Sequence, residues 1–162
     1  SSVLKQDYTE ILMEYAEVAF LVSESKGWSA AEYQAGVRAS MERWGVAAAK
    51  INTYVTALPA PNEENVITQK YIALFMQPYE AFAEYRRTGY PDTLLQPGQS
   101  YAFNVPQAGV TTYTFLALNN LTAMPARFTY PVSLQQLNGE NVAAAAAAIG
   151  GDELDTKLIW AK

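Results

Sequence analysis

The chain contains no cysteine and no histidine. Without cysteine there is no disulfide, no thiolate metal site and no thiol nucleophile. Without histidine there is no Ser-His-Asp triad and no imidazole-ligated zinc. Missing cysteine does not fix the compartment. A chain of 162 residues, half of them hydrophobic, can bury a core without covalent staples. Charge is also scarce: 17% of residues are charged, and the formal net charge is -5. That balance argues against nucleic acid as a partner, because such binding rests on Lys and Arg neutralising phosphates. It argues equally against a polybasic membrane patch. No apolar run reaches the length of a membrane span; the longest bland stretch, 142–148, is short and alanine-rich. Ser1-Ser2-Val3-Leu4-Lys5 lacks the charged and apolar regions of a signal peptide. The chain enters a helical pattern almost at once, so it reads as part of a longer precursor.

What is present is mostly helical periodicity. Tyr8, Ile11, Leu12, Tyr15, Val18, Ala19 and Val22 recur at three- and four-residue steps, which predicts a helix with one apolar face. Lys26-Gly27 ends it, since Gly accepts the left-handed cap conformation. Ser29-Ala30-Ala31-Glu32 has the form of a capping box, with the Ser29 hydroxyl accepting from the Glu32 N–H. Trp28 and Tyr33 flank it as a hydrophobic staple. The second helix carries Tyr33, Val37, Met41 and Trp44 on one face and ends at Gly45. A short loop between two helices forces them antiparallel. A shorter helix is expected within 46–58, stopped by Pro59-Ala60-Pro61. Asn62 can cap the next helix, with Glu63 and Glu64 near its positive end. Its apolar face runs Ile67, Tyr71, Leu74, Phe75, Phe82 and Tyr85, and Pro78 should kink or break it.

After Gly89-Tyr90-Pro91 the texture changes. Residues 101–105 and 111–118 read as short strands of a hairpin around 106–109. Ser133-Leu134-Gln135-Gln136 has the pattern of a second capping box, opening a helix that runs to Gly150-Gly151. The fold class is therefore mainly α. Tetratricopeptide-like helix pairs occupy residues 1–91. An irregular segment with a short β-hairpin and a final helix occupies 92–162. The two are expected to form one compact unit, part of a longer chain.

Several stretches, in order, carry a resemblance. They are Tyr15-Ala16-Glu17-Val18-Ala19-Phe20-Leu21 with Ser23-Glu24-Ser25 and Gly27-Trp28; Tyr33-Gln34-Ala35-Gly36-Val37-Arg38-Ala39-Ser40-Met41 with Trp44-Gly45-Val46; and Ile67-Thr68-Gln69-Lys70-Tyr71-Ile72-Ala73-Leu74-Phe75 running into Glu80-Ala81-Phe82-Ala83-Glu84-Tyr85-Arg86-Arg87-Thr88-Gly89-Tyr90-Pro91. Pro125-Ala126-Arg127-Phe128-Thr129-Tyr130-Pro131, then Leu137-Asn138-Gly139-Glu140-Asn141-Val142, and the terminal Lys157-Leu158-Ile159-Trp160 complete the set. Together they resemble the SusD/RagB family, in particular its SusD-like 2 branch, over nearly the whole chain. The sequence departs from the family pattern in Ser23-Glu24-Ser25 for Ala-Glu-Ala, in Phe82 for a tryptophan, and in Gln135-Gln136 where a glutamate is usual.

The resemblance implies part of an α-α superhelix, the C-terminal portion of a cell-surface lipoprotein. Such a protein binds oligosaccharides or other nutrients. It passes them to a SusC-like TonB-dependent transporter in the outer membrane. Its lipid anchor would lie N-terminal to the present chain, and its place would be the outer surface of the outer membrane. It implies no enzyme, no cofactor and no metal. The alternative reading is a helical-repeat interaction module without a small ligand.

The residues themselves offer few chemical constellations. Glu63-Glu64 sits at a helix start and Asp152-Glu153 follows a Gly-Gly turn, so neither makes the facing pair a glycosidase needs. Asp152-Glu153-Leu154-Asp155 lacks EF-hand spacing. No catalytic residue is expected. Arg86 and Arg87 read as a structural ion pair with a carboxylate such as Glu17 or Glu84, favoured at a helix C-terminus. For ligand contact the candidates are aromatics off the helices: Tyr101, Phe103 and Tyr113, with Phe115, and with Asn104, Asn119 and Asn120 nearby. Sugars present flat C–H faces that pack on such rings, while amides read the hydroxyls.

Overall fold

The computed structural model describes residues 6, 7, 9, 11–107, 109–118 and 121–161. It is mainly helical, with one two-stranded antiparallel sheet. The chain falls into two compact units, Ser1–Pro91 and Asp92–Lys162.

The first unit contains α1 (Tyr15–Ser25), α2 (Ala30–Arg43), α3 (Ala48–Thr56), α4 (Glu63–Ala73) and α5 (Pro78–Thr88). α1 packs on α2 and α4, and α4 on α5, so successive helix pairs stack side by side. The core is formed by Ala16, Phe20, Tyr33, Val37, Ile51, Val55, Val66 and Ala73, with Trp28 and Met41 packed against it. Phe20 and Tyr33 are both fully buried there, their ring centroids 6.5 Å apart.

Helix starts and stops follow local chemistry. Asn62 Oδ1 accepts from the Asn65 N–H at 2.7 Å and caps α4 as its sequence predicts. Pro78 breaks the predicted long helix in two and becomes the first residue of α5, where its missing N–H leaves no helical bond unmade. α5 ends on Gly89 at φ 79°, a left-handed cap that a side chain would strain. The Ser29 box closes differently from the expectation. Its hydroxyl donates to the Glu32 carboxylate, which Lys26 also holds, and makes no cap bond to backbone. These partners, Lys26 first, hold the Glu32 carboxyl well below its usual range, at about 2.

α1 departs most from its predicted form. It begins at Tyr15 rather than near Tyr8, which lies outside the described residues. Its buried positions are Ala16, Glu17, Ala19, Phe20 and Ser23, whereas the predicted face residues Tyr15 and Val18 are exposed. Small residues decide this. Ala16, Ala19 and Ser23 let α1 approach α2 closely, and Gly36 of α2 receives the Phe20 ring.

The second unit contains β1 (Ser100–Val105), β2 (Gly109–Thr114), α6 (Val132–Ile149) and a 3-10 turn at Ile159–Ala161. β2 ends at Thr114, short of the 118 expected. α6 is capped by Pro131 without a side-chain bond, so the expected Ser133 box is not used; Ser133 lies inside the first turn. Asn138 interrupts the helix with φ -151°. None of the described α6 residues is buried. Polar contacts order the C-terminal segment instead. Asp152 accepts from Arg127 Nη1 at 2.7 Å and from the Tyr130 N–H at 3.0 Å. The N–H groups of Ala126 and Arg127 both donate to the Leu154 carbonyl. Arg127 is buried, and its guanidinium lies 4.8 Å from the Tyr130 ring centre. Asp152→Ala removes both acceptor contacts and leaves Arg127 without its carboxylate. The variant is expected to lose about 2 kcal/mol of stability, checked as a shift in urea midpoint at unchanged slope.

Candidate functional site

The hairpin of the second unit carries the exposed aromatics. The strands pair antiparallel with Tyr101 opposite Tyr113 and Phe103 opposite Thr111. Side chains alternate between faces along a strand, so Tyr101, Phe103, Thr111 and Tyr113 share one face. Tyr101 is 62% exposed, Phe103 40% and Tyr113 53%, although aromatics of this size normally bury most of their surface. The opposite face carries Ala102 facing Thr112, Asn104 facing Val110, and Ser100 facing Thr114, whose hydroxyl oxygens lie 2.8 Å apart.

The base of the hairpin is held by backbone. The Gly98 N–H donates to the Phe115 carbonyl at 2.7 Å, and the Phe115 N–H to the Gln99 carbonyl at 2.9 Å. Gln99 Oε1 accepts from the Gln96 N–H at 2.8 Å. At the tip, Gln107 (φ 74°) and Gly109 (φ 77°) both take left-handed conformations that reverse the chain. The result is a two-residue tyrosine platform, extended by Phe103 along β1, on a strand pair pinned at its base.

The other candidates fall elsewhere. Asn104 stands on the face opposite the aromatics, and Phe115 is half-buried just beyond β2. Asn119 and Asn120 lie outside the described residues. Arg86 and Arg87 belong to the first unit. Arg87 grips Glu24 of α1 through two bonds, 2.7 and 2.8 Å, and reaches Glu84 at 2.5 Å. The bonds to Glu24 push the Arg87 pKa up despite its partial burial. Arg86 lies over the Phe82 ring at 4.8 Å. The charge of Arg87 is therefore committed to holding α5 to α1.

Glu84 also accepts from Lys70 at 2.8 Å, and both side chains are buried. Burial pushes the Glu84 carboxyl up, but the bonds to Lys70 and Arg87 outweigh it and the net direction is down. Glu17, buried on α1, is pushed up by burial, against the opposing pull of Lys70. Its Oε2 makes no hydrogen bond among the described residues. Sequence reasoning points to neither Glu24 nor Lys70 as a member of this cluster. Lys70 does carry a signal, for it interrupts the apolar stripe three residues after Ile67 and four before Leu74.

Among the described residues no group of three His, Cys, Asp or Glu is placed to hold a metal. No described helix is long and apolar enough to cross a membrane.

A family model described as "Starch-binding associating with outer membrane", SusD-like 2, matches residues 1–131. Three solved structures superpose well. A Bacteroidetes AC2a SusD-like protein is 26% identical, with a TM-score of 0.75 over 99% of this chain and 32% of its own. A SusD homologue from Bacteroides fragilis NCTC 9343 is 26% identical, with a TM-score of 0.65 over 91% of this chain and 34% of its own. A chitin-binding protein is also 26% identical, with a TM-score of 0.65 over 90% of this chain and 32% of its own. The chain thus spans about a third of the length of the structures it matches. Comparison with curated proteins gave no match.

Proposed function

The chain belongs to the SusD-like 2 family of starch-binding proteins that associate with the outer membrane, and from that premise we propose that it forms part of a cell-surface oligosaccharide-binding protein. The single observation supporting a sugar contact on this chain is the cross-strand tyrosine pair, Tyr101 opposite Tyr113, exposed beside Phe103. Two rings on neighbouring strands stand about 5 Å apart at their Cβ atoms. That gives a flat apolar strip for the C–H face of a pyranose, with phenol hydroxyls at its rim for the ring hydroxyls. Such a platform holds a glycan by stacking; it offers neither the acid nor the base that cleavage would need. The captured glycan passes to a SusC-like TonB-dependent barrel, with the protein held at the outer surface by a lipid anchor outside this chain.

The test uses the full-length protein and calorimetry with maltoheptaose and chitohexaose. Tyr101→Ala together with Tyr113→Ala is expected to weaken the preferred glycan by about tenfold or more. The thermal midpoint should barely move, because both rings are exposed. Unchanged affinity in a folded variant would remove the platform from the site. Failure of the wild-type protein to bind either glycan, together with no co-purifying barrel, would count against the carrier role itself.

A further inference from the structure

The aromatic positions of the hairpin form one line. Residues two apart on a strand share a face. Phe103 opposes Thr111 and Tyr101 opposes Tyr113. Phe115 donates its N–H to the Gln99 carbonyl at 2.9 Å and so extends the same face by one more rung. Gly98, at φ 83°, and Gln99 together oppose Phe115 in the bulge that ends the ladder. The ring-bearing positions therefore run Phe103, Tyr101, Tyr113, Phe115, crossing from β1 to β2 at the middle rung. At a strand rise of about 3.3 Å per residue, the line covers about 13 Å along the hairpin. Thr111 flanks it beside Phe103.

The line is also open. Among the described residues β1 and β2 pair only with each other, so no third strand walls either edge. Every residue of the two strands is exposed except Val105, which is half-buried. A ligand meets these rings from one side and along one axis.

Linkage chemistry decides which glycans can use such a line. A chain joined through equatorial bonds is an extended ribbon. Its apolar C–H faces recur along a straight axis, so successive pyranoses can lie on successive rings. An axial bond turns the chain at every unit and coils it. A straight strip then holds one pyranose and the next units lift away; only a concave arc would follow them round.

We infer that the strip Phe103, Tyr101, Tyr113 and Phe115 selects extended, β-linked oligosaccharides over coiled, α-linked chains of the same sugar. The inference rests on the reading of the tyrosine pair as a glycan platform and adds the linkage class to it.

The experiment is calorimetry on the full-length protein with cellohexaose and maltohexaose, glucose chains of equal length that differ only in linkage. Chitohexaose serves as a second β-linked chain. At least one β-linked hexamer is expected to bind about tenfold tighter, or more, than maltohexaose. That ratio should fall toward unity in the Tyr101→Ala, Tyr113→Ala variant. Phe103→Ala shortens the strip at one end and should lower the ratio by about threefold; it gives the same readout if the double variant does not fold. Equal affinities, or tighter binding of maltohexaose, overturn the linkage assignment, and loss of that binding in the double variant would show that the platform itself stands. A β-preference that survives both variants places the selection elsewhere in the protein and overturns the assignment as well. Binding of none of the three chains removes the platform reading and this inference together.

Discussion

Replacing Lys70 by methionine is expected to cost about 3–5 kcal/mol of stability near neutral pH. Lys70 is 3% exposed and sits among carboxylates, bonded to Glu84 at 2.8 Å and drawing on Glu17 electrostatically. Removing it leaves Arg87 to balance Glu84 alone, while Arg87 is already committed to Glu24. Glu17 loses the cation that opposes the effect of its burial. The loss should be read by chemical denaturation, and it should shrink in the Lys70→Met, Glu84→Gln double variant. A loss under about 1 kcal/mol would mean that water or a side-chain shift solvates Glu84.

The same variant has a pH signature whose sign follows from linkage. Glu84 is pushed below its ordinary value of 4.5 in the fold. Its contribution is therefore present above the unfolded value and lost as pH falls through the lower folded value. Methionine at position 70 removes much of that contribution. The gap between wild type and variant should be widest near neutral pH and should narrow as pH drops below about 4.5. Glu17 runs oppositely. Its pKa is raised, so its contribution is full below the unfolded value and fades as pH rises through the folded one. Glu17→Gln should accordingly remove the fall in stability between the ordinary value of 4.5 and the raised folded value. A gap that stays constant across this pH range would show that Lys70 acts through packing rather than charge.

Gly36→Ala is expected to destabilise by about 1–3 kcal/mol, against the roughly 1 kcal/mol that Ala normally gains over Gly within a helix. An added Cβ would lie 2.8 Å from Cε1, 2.9 Å from Cζ and 3.0 Å from Cδ1 of Phe20. That ring is 1% exposed and has little room to retreat. The two closest atoms belong to the outer ring, which leucine lacks. The Gly36→Ala, Phe20→Leu pair should therefore lose less than the sum of its single changes, with a coupling of about 0.5–3 kcal/mol. Denaturant midpoints of the four proteins close the cycle. A stabilised single variant would show that the α1–α2 interface can open by several tenths of an ångström.

Periodicity and punctuation were enough for the helices as elements. Asn62 caps α4, Pro78 divides α4 from α5, and Gly89 ends α5, because each effect is local to one or two residues and needs no distant partner. The hairpin was legible for the same reason, from alternation on either side of a turn. Its aromatics could be listed from the sequence, but whether they lay against a core or open to solvent could not. The ordered motifs placed the chain in its family, since they repeat the packing positions of the helix pairs. The face of α1 was not legible. That helix is apolar around most of its circumference, so the spacing that picks out Tyr15, Val18, Ala19 and Val22 does not decide which side packs. The contact between Phe20 and Gly36 joins two helices and is not encoded in the local spacing of either.

Tertiary packing chose the face. The side with Ala16, Ala19 and Ser23 is the one that lets two backbones approach, and it buries Phe20 where the larger residues of the other side would hold the helices apart. The partners of the charged residues were hidden for a related reason. Arg87 and Glu24 are distant in sequence, and only the stacking of α5 near α1 brings them within 2.8 Å. Local chemistry along the chain determined where most elements start and stop. Which surfaces meet, which charges are neutralised inside the fold, and which aromatic rings stay exposed on the hairpin depended on contacts between residues far apart in sequence, and only the tertiary structure decided them.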